Sequence, residues 1–210
     1  MGKEENAAGR PVFTAQEKEE IRQAIRRKYA GVASSAAGFF RYPVGKEGAL
    51  SLGYKPGLLD QASDDLLSSF CGVGNPFAIG RIERGDLVLD IGCGAGFDVW
   101  VASRLIGENG RAFGVDLTAE MVAKAQANLA SVQAANAEIR LVASEQLPFA
   151  DAFFDVVISN GVINLSPDKP RLFSEINRVL KTGGRLQFAD IIVEKELPAP
   201  LAASVESWSQ

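Results

Sequence analysis

From residue 86 onward the chain alternates short apolar runs with segments of helical period. The runs DLVLDIG, RAFGVDL, AEIRLVA, FFDVVIS and GRLQFADIIV are rich in β-branched and aromatic residues and bounded by Gly, Asp or Asn, which marks them as strands. Between them, positions 97–106, 118–130 and 168–180 carry helix patterns, the second with Thr118 as N-cap and the third expected to end at Gly183-Gly184. Apolar runs without polar alternation are covered on both faces. The expected fold class is therefore α/β: a doubly wound, mostly parallel sheet with helices on both sides. In such sheets ligands bind in the crevice at the carboxyl ends of the strands.

Upstream the pattern differs. After a polar start at residues 1–12, Thr14 and Glu17 are spaced as a capping box for a helix over 15–30, with Ile21, Ala24, Ile25 and Lys28 on one face. The stretch 31–57, including GVASSAAGFFRYP and GYKPG, reads as an ordered but irregular cover, with Tyr29 and Phe39-Phe40 as residues to close over a ligand. The expected division is a cover over 1–75 and a ligand-binding domain over 76–210, with Trp208 a packing residue near the terminus.

Composition narrows the chemistry. With 47% hydrophobic and 23% charged residues in 210, the chain fits one soluble domain with appendages. A net charge of −4 gives no general attraction to nucleic acid or anionic lipid. No apolar run reaches the roughly 18 residues of a membrane span, and MGKEENAAGR has no signal core, so a cytoplasmic location is expected. Cys71 and Cys93 are the only cysteines and stand far apart, which leaves free thiols and no CxxC site. The chain has no histidine, so Ser-His-Asp relays and His-ligated metals are excluded. Any base is a carboxylate, Lys, Tyr or the substrate itself.

The first run leads into Asp90-Ile91-Gly92-Cys93-Gly94-Ala95-Gly96-Phe97-Asp98. Glycines here let a ligand approach the backbone, and the following helix offers free N–H groups. A dinucleotide fingerprint would need glycine where Phe97 or Val99 stands, which makes a nicotinamide-dependent oxidoreductase a distant reading. Asp116 closes the second run in GVDLT, with Leu117 beside it, and an ionised carboxylate there suits two ribose hydroxyls. Cys93, between small neighbours, reads as a packed residue.

The DxGxGxG turn with Asp116 resembles class I S-adenosylmethionine-dependent methyltransferases, as does LPFADAFFDVV before the fourth run. The resemblance implies a Rossmann-like methyltransferase fold and S-adenosyl-L-methionine as cofactor, with S-adenosyl-L-homocysteine as product. It implies cofactor contacts at Asp90, Gly92, Gly94, Gly96, Asp116 and Leu117, an adenine corner at Ser144 or Glu145, and Asn160 facing the transferable methyl.

Within that superfamily, VLDIGCGAGFD, GVDLTAEMVAKA and VVISNGVINLSPDKPRLFSEINRVLKTGGRLQFADI resemble the arsenite methyltransferase branch from about residue 70 to about 200. That implies a small-molecule acceptor such as an arsenite–thiol complex, bound by protein thiolates. A lone pair on arsenic(III) or a thiolate attacks a sulfonium without a general base, which fits a chain lacking histidine. Two of the branch's cysteines are replaced: Gly161 stands between Asn160 and Val162, and Val73 stands two residues past Cys71. Cys71 and Asn164 remain as candidate catalytic residues, and a non-catalytic cofactor-binding relative, or a methyltransferase for another small molecule, stays open.

Members of the branch continue beyond SVESWSQ and place another cysteine near Gln210. One reading is that the gene continues through a stop codon read as selenocysteine; a frameshift or a deliberate truncation is at least an equal alternative. With only five runs the last strands of the complete fold are missing. The fifth run is then a sheet edge, for which a homodimer or swapped segment is expected.

Overall fold

The computed structural model describes residues 13–36 and 38–192; residues 1–12 and the tail containing Trp208 lie outside them. Strands β1 (Leu87–Ile91), β2 (Arg111–Asp116), β3 (Ala137–Leu141), β4 (Phe154–Asn160) and β5 (Leu180–Ala189) form one sheet in the order β3-β2-β1-β4-β5. Every pairing is parallel, as the unbroken apolar runs require. From β1 the chain proceeds outward to β3 and then returns to the other side of β1 as β4. The strand order therefore reverses beside β1, and the crevice of such a fold opens there.

Helices α5 (Phe97–Ile106) and α6 (Ala119–Ser131) fall within a residue or two of the sequence reading, and α7 (Lys169–Val179) follows β4. Alternate residues of the central strands feed two cores. Val88, Ala112 and Ile158 pack with Phe97, Val99, Trp100 and Ile106 of α5, and Leu89, Phe113 and Val157 pack with Leu172 and Ile176 of α7. Asp90 shares the face of Val88 and so points toward the α5 side.

The third helix ends at Val179, within a residue of the expected 180, but Gly183-Gly184 does not cap it. Leu180 already pairs with Phe154, and the next pair is Arg185 with Val156, so residues 181–184 bulge out of β5. Gly183 (φ +80°) turns that bulge, and Lys181 Nζ reaches Asp155 at 2.8 Å. The glycines thus bend a strand and do not cap a helix.

The capping box forms as expected: Thr14 Oγ1 accepts from Glu17 N, and Thr14 N donates to Glu17 Oε2 at 2.8 Å. Helix α1 then runs Ala15–Ser34, four residues beyond the expected end. The stretch expected to be irregular holds two short helices, α2 (Gly45–Ser51) and α3 (Pro56–Leu59), followed by α4 (Asp64–Ser68). Helix α2 contains two glycines and has poor intrinsic propensity. Its formation follows from burial of Ala49, which packs with Tyr54, Leu59, Leu66 and Phe70 in the same core as Trp100. The cover shares its core with the sheet.

Ahead of β4, the LPFADAFFD loop is pinned by Arg178 of α7, which donates to Leu147 O, Phe149 O, Asp151 and Glu175. The Arg178 hydrogen bonds hold the Glu175 carboxyl down to about 2. A depressed carboxylate stabilises the fold above its ordinary value and loses that contribution as acid protonates it. Glu175→Gln is therefore expected to cost about 2 kcal/mol at pH 7, with the difference from wild type closing between pH 4 and pH 2 in denaturant titrations.

Candidate active site

The site grows from the end of β1. Gly92 N and Cys93 N both donate to Val115 O, at 2.8 and 3.0 Å, which curls the chain back over β2. Gly92 (φ +71°) lies so close under Val162 that a Cβ would overlap its methyl groups. Gly94 (φ +49°) is the opposite case, because a Cβ there would meet nothing within 4 Å. Its bare backbone faces open space, and its N–H donates to Asp116 Oδ2 at 2.9 Å. Gly96 N-caps α5, so the free N–H groups of that helix begin at the turn.

Asp116 stands at the end of β2. Its second oxygen, Oδ1, accepts from Thr118 N at 2.9 Å, which starts α6 although the Thr118 side chain makes no cap bond. Each oxygen thus holds one backbone N–H and keeps lone-pair capacity. Burial pushes the carboxyl above its ordinary value and these N–H groups oppose the shift.

A cleft opens here. Gly92, Gly94, Asp116, Leu117, Ser144, Glu145, Asn160 and Cys71 line it, together with Gly161 and, from α1, Ile25 and Tyr29. Asp90, Gly96 and Asn164 do not. Asp90 is 3% exposed on the α5 side of the sheet. Burial, with the carboxylates of Asp98 and Asp116 nearby, raises it well above its usual range. Asn164 serves its backbone instead: its N–H donates to Asp190 at 2.8 Å, and its side-chain oxygen is buried without a partner. Of the expected aromatic lid only Tyr29 reaches the cleft; Phe40 packs behind it, and Phe39 is 43% exposed.

Two side chains, Glu145 and Asn160, are engaged differently from their sequence reading, while Cys71 stands at the cleft. Glu145, read as an adenine neighbour, is 6% exposed; it binds Arg22 of α1 at 2.5 Å and accepts from Ser166 Oγ at 2.9 Å. One oxygen thus docks the cover and the other holds the segment that follows β4. The amide of Asn160 is turned away from a cofactor: Oδ1 accepts from Val73 N and Gly74 N, and Nδ2 donates to Gly74 O and Asp98. Cys71 lines the cleft as a neutral thiol, pushed up to about 12 by burial and by the charges of Asp116 and Asp98. Cys93 is packed, its sulfur against Gly114.

The sequence reading missed Arg22, Tyr54 and Asp98. Asp98 follows the glycine turn directly, and burial raises it to about 6 while Tyr54 and Asn160 donate to it. Arg22 and Tyr54 carry no local signal, because their partners stand 123 and 44 residues away.

A sequence family described as a methyltransferase domain matches residues 82–210. The chain belongs to this methyltransferase-domain family. It is 37% identical over 194 residues to an arsenite methyltransferase of Halobacterium salinarum, covering 86% of this chain and 49% of that protein. It is also 35% identical over 133 residues to a ubiquinone/menaquinone biosynthesis C-methyltransferase of Klebsiella pneumoniae, covering 61% of this chain and 51% of the other. Among solved structures it resembles an arsenic(III) S-adenosylmethionine methyltransferase of Chlamydomonas reinhardtii at 36% identity and TM-score 0.58, over 72% of this chain and 51% of that one. The methyltransferase-domain chain spans about half the length of these relatives.

The residues present fit S-adenosylmethionine. An open, Cβ-free backbone at Gly94 stands beside a carboxylate with spare lone pairs, and no base is required. Gly94→Ala is expected to lower the affinity for S-adenosylhomocysteine about tenfold by titration calorimetry while costing only about 1 kcal/mol in stability, since the left-handed backbone is the sole strain.

Proposed function

We propose that this chain transfers a methyl group from S-adenosylmethionine to a soft small-molecule nucleophile, an arsenite–thiol complex being the leading acceptor. The observation carrying the reading is the open Gly94 backbone beside Asp116 at the strand-order reversal. S-adenosylmethionine would supply an electrophilic methyl on a sulfonium and leave S-adenosylhomocysteine. Gly92 and Gly94 accommodate its methionine part, while Gly96 and Asp90 shape the turn from behind without lining the cleft. Asp116 accepts the ribose hydroxyls beside Leu117, and Ser144 with the Glu145 backbone borders the adenine. Tyr29 and Ile25 exclude water from above.

The acceptor end agrees with a nucleophile that brings its own thiols. A Cβ on Gly161 would lie 3.2 Å from Val73 Cγ1, so the two positions where the arsenite branch has cysteine are neighbours, and here they form an apolar wall. Cys71 is the thiol lining the cleft. Attack by an arsenic lone pair or a preformed thiolate needs no proton removal, so the chain's task is orientation.

The test is transfer of radiolabelled methyl to arsenite in the presence of glutathione. Labelled methylarsenical supports the reading; binding of the cofactor without transfer to arsenite would favour a non-catalytic relative or another small acceptor. The similarity to a C-methyltransferase makes a quinone precursor the acceptor to try next.

The same reading assigns 1–75 to the cover and 76–210 to the cofactor domain, in a cytoplasmic protein; among the described residues no helix is long and apolar enough to cross a membrane. It also takes the β5 edge, with Phe173, Phe188 and Ile191 exposed, as a self-association surface. A purely monomeric species in sedimentation would count against that surface.

A further inference from the structure

Asn160 ends β4 at the acceptor side of the cleft, yet its amide is wholly engaged with protein. Besides the bonds to Val73 N (2.8 Å), Gly74 N (3.1 Å) and Gly74 O (2.9 Å), its Nδ2 lies 3.0 Å from Asp98 Oδ2 and 3.3 Å from Tyr54 Oη. Tyr54 Oη in turn donates to Asp98 Oδ1 at 2.6 Å. A Cβ on Gly72 would overlap the Asn160 amide, so the segment 72–74 lies flat against it.

The three side chains come from three places that must agree for a transfer reaction. Asp98 is the second residue of α5 and moves with the glycine turn. Asn160 moves with the acceptor end of β4. Tyr54, 3% exposed, belongs to the cover, where its ring meets Phe70 and Phe97 edge-on at 5.3 and 5.2 Å. The segment they hold includes Val73 and continues from Cys71, which lines the cleft.

We propose that Tyr54, Asp98 and Asn160 are positioning residues for methyl transfer, a buried relay that fixes the 71–74 segment against the cofactor turn. The purpose assigned to the relay rests on the methyltransferase reading. None of the three gives or takes a proton in the reaction. With no base to contribute rate, placement of the acceptor carries the catalysis, and a displacement of about 1 Å is worth about a hundredfold.

The experiment measures modification of Cys71 and Cys93 separately, by mass spectrometry after timed exposure of the full chain to an aromatic disulfide, without cofactor. Tyr54→Phe keeps the ring packing and removes the hydroxyl; Asn160→Leu removes the clamp itself. Each is expected to speed Cys71 modification about fivefold through local opening, and Cys93 not at all. The double variant is expected to be no faster than the faster single, since both release the same segment. Modification of both cysteines together would reduce the role to global stability and overturn the proposal, as would an unchanged Cys71 or multiplying single effects. Affinity of Tyr54→Phe for S-adenosylhomocysteine should stay within about threefold of wild type; a loss of about tenfold would assign direct cofactor contact instead. Failure of the labelling result leaves the cofactor reading untouched, because no cofactor is present in it.

Discussion

Asp116→Ala is expected to weaken binding of S-adenosylhomocysteine by about a hundredfold or more in titration calorimetry, from the loss of two hydrogen bonds to a charged acceptor at about 1.5–3 kcal/mol each. Stability should change little. The carboxylate's burial, which raises its pKa, opposes folding, and the bonds from Gly94 N and Thr118 N offset that cost. The substitution relieves the burial cost of the carboxylate and leaves Gly94 N–H and Thr118 N–H to be met by water in the cleft, two terms of opposite sign, so a binding defect in this variant is not unfolding. Thermal denaturation of the same preparation checks this, and a large drop in melting temperature would mean the residue is chiefly a structural anchor.

Arg22→Met is expected to destabilise the fold by about 3 kcal/mol, because it strands Glu145 in a site where that side chain is 5% exposed. Methionine keeps the aliphatic contacts of the arginine stem, which isolates the charge. Ser166 Oγ remains as a single neutral donor at 2.9 Å. The double variant Arg22→Met/Glu145→Gln is expected to recover much of the loss, since the cost lies in the unpaired charge more than in the missing pair. Urea denaturation of the four members of the cycle measures both numbers. A recovery near zero would show that the cost lies in the lost ion pair itself, and a small effect of Arg22→Met alone would show that α1 is held mainly by Ile21 and Ile25, which pack with Phe13 beneath the helix.

The two variants bear on different layers of the site, and the sequence reveals those layers unequally. The strands were legible because β1 and β4 are apolar without alternation and end at Gly, Asp or Asn. The pairing Gly94–Asp116 was legible because each residue sits at a strand end, and parallel strands bring their carboxyl ends together. The start of β5 was not. Gly183-Gly184 is a common helix stop, and only the register Phe154–Leu180 shows the strand beginning before it.

Glu145 illustrates a second limit. Beside Gln146 and Pro148 it reads as a surface turn, and the residue that buries it lies 123 positions earlier. A long-range ion pair leaves no periodicity. Asn160 shows a third limit, for its location at the cleft was readable while the direction of its amide was not. That direction depends on Tyr54 and on Gly72, whose missing side chain makes room for the amide. Resemblance supplied the cofactor and the expected thiols; geometry supplied the finding that Gly161 and Val73 are in contact, which sequence alone leaves as two unrelated substitutions.

Equilibrium dialysis of the full chain against radiolabelled S-adenosylmethionine tests the cleft most directly. The expected result is saturable binding of about one equivalent, displaced by S-adenosylhomocysteine and not by NADH, since the glycine spacing and Asp116 suit a single ribose beside a methionine chain. Absence of saturable binding, or equal displacement by NADH, would contradict the assignment.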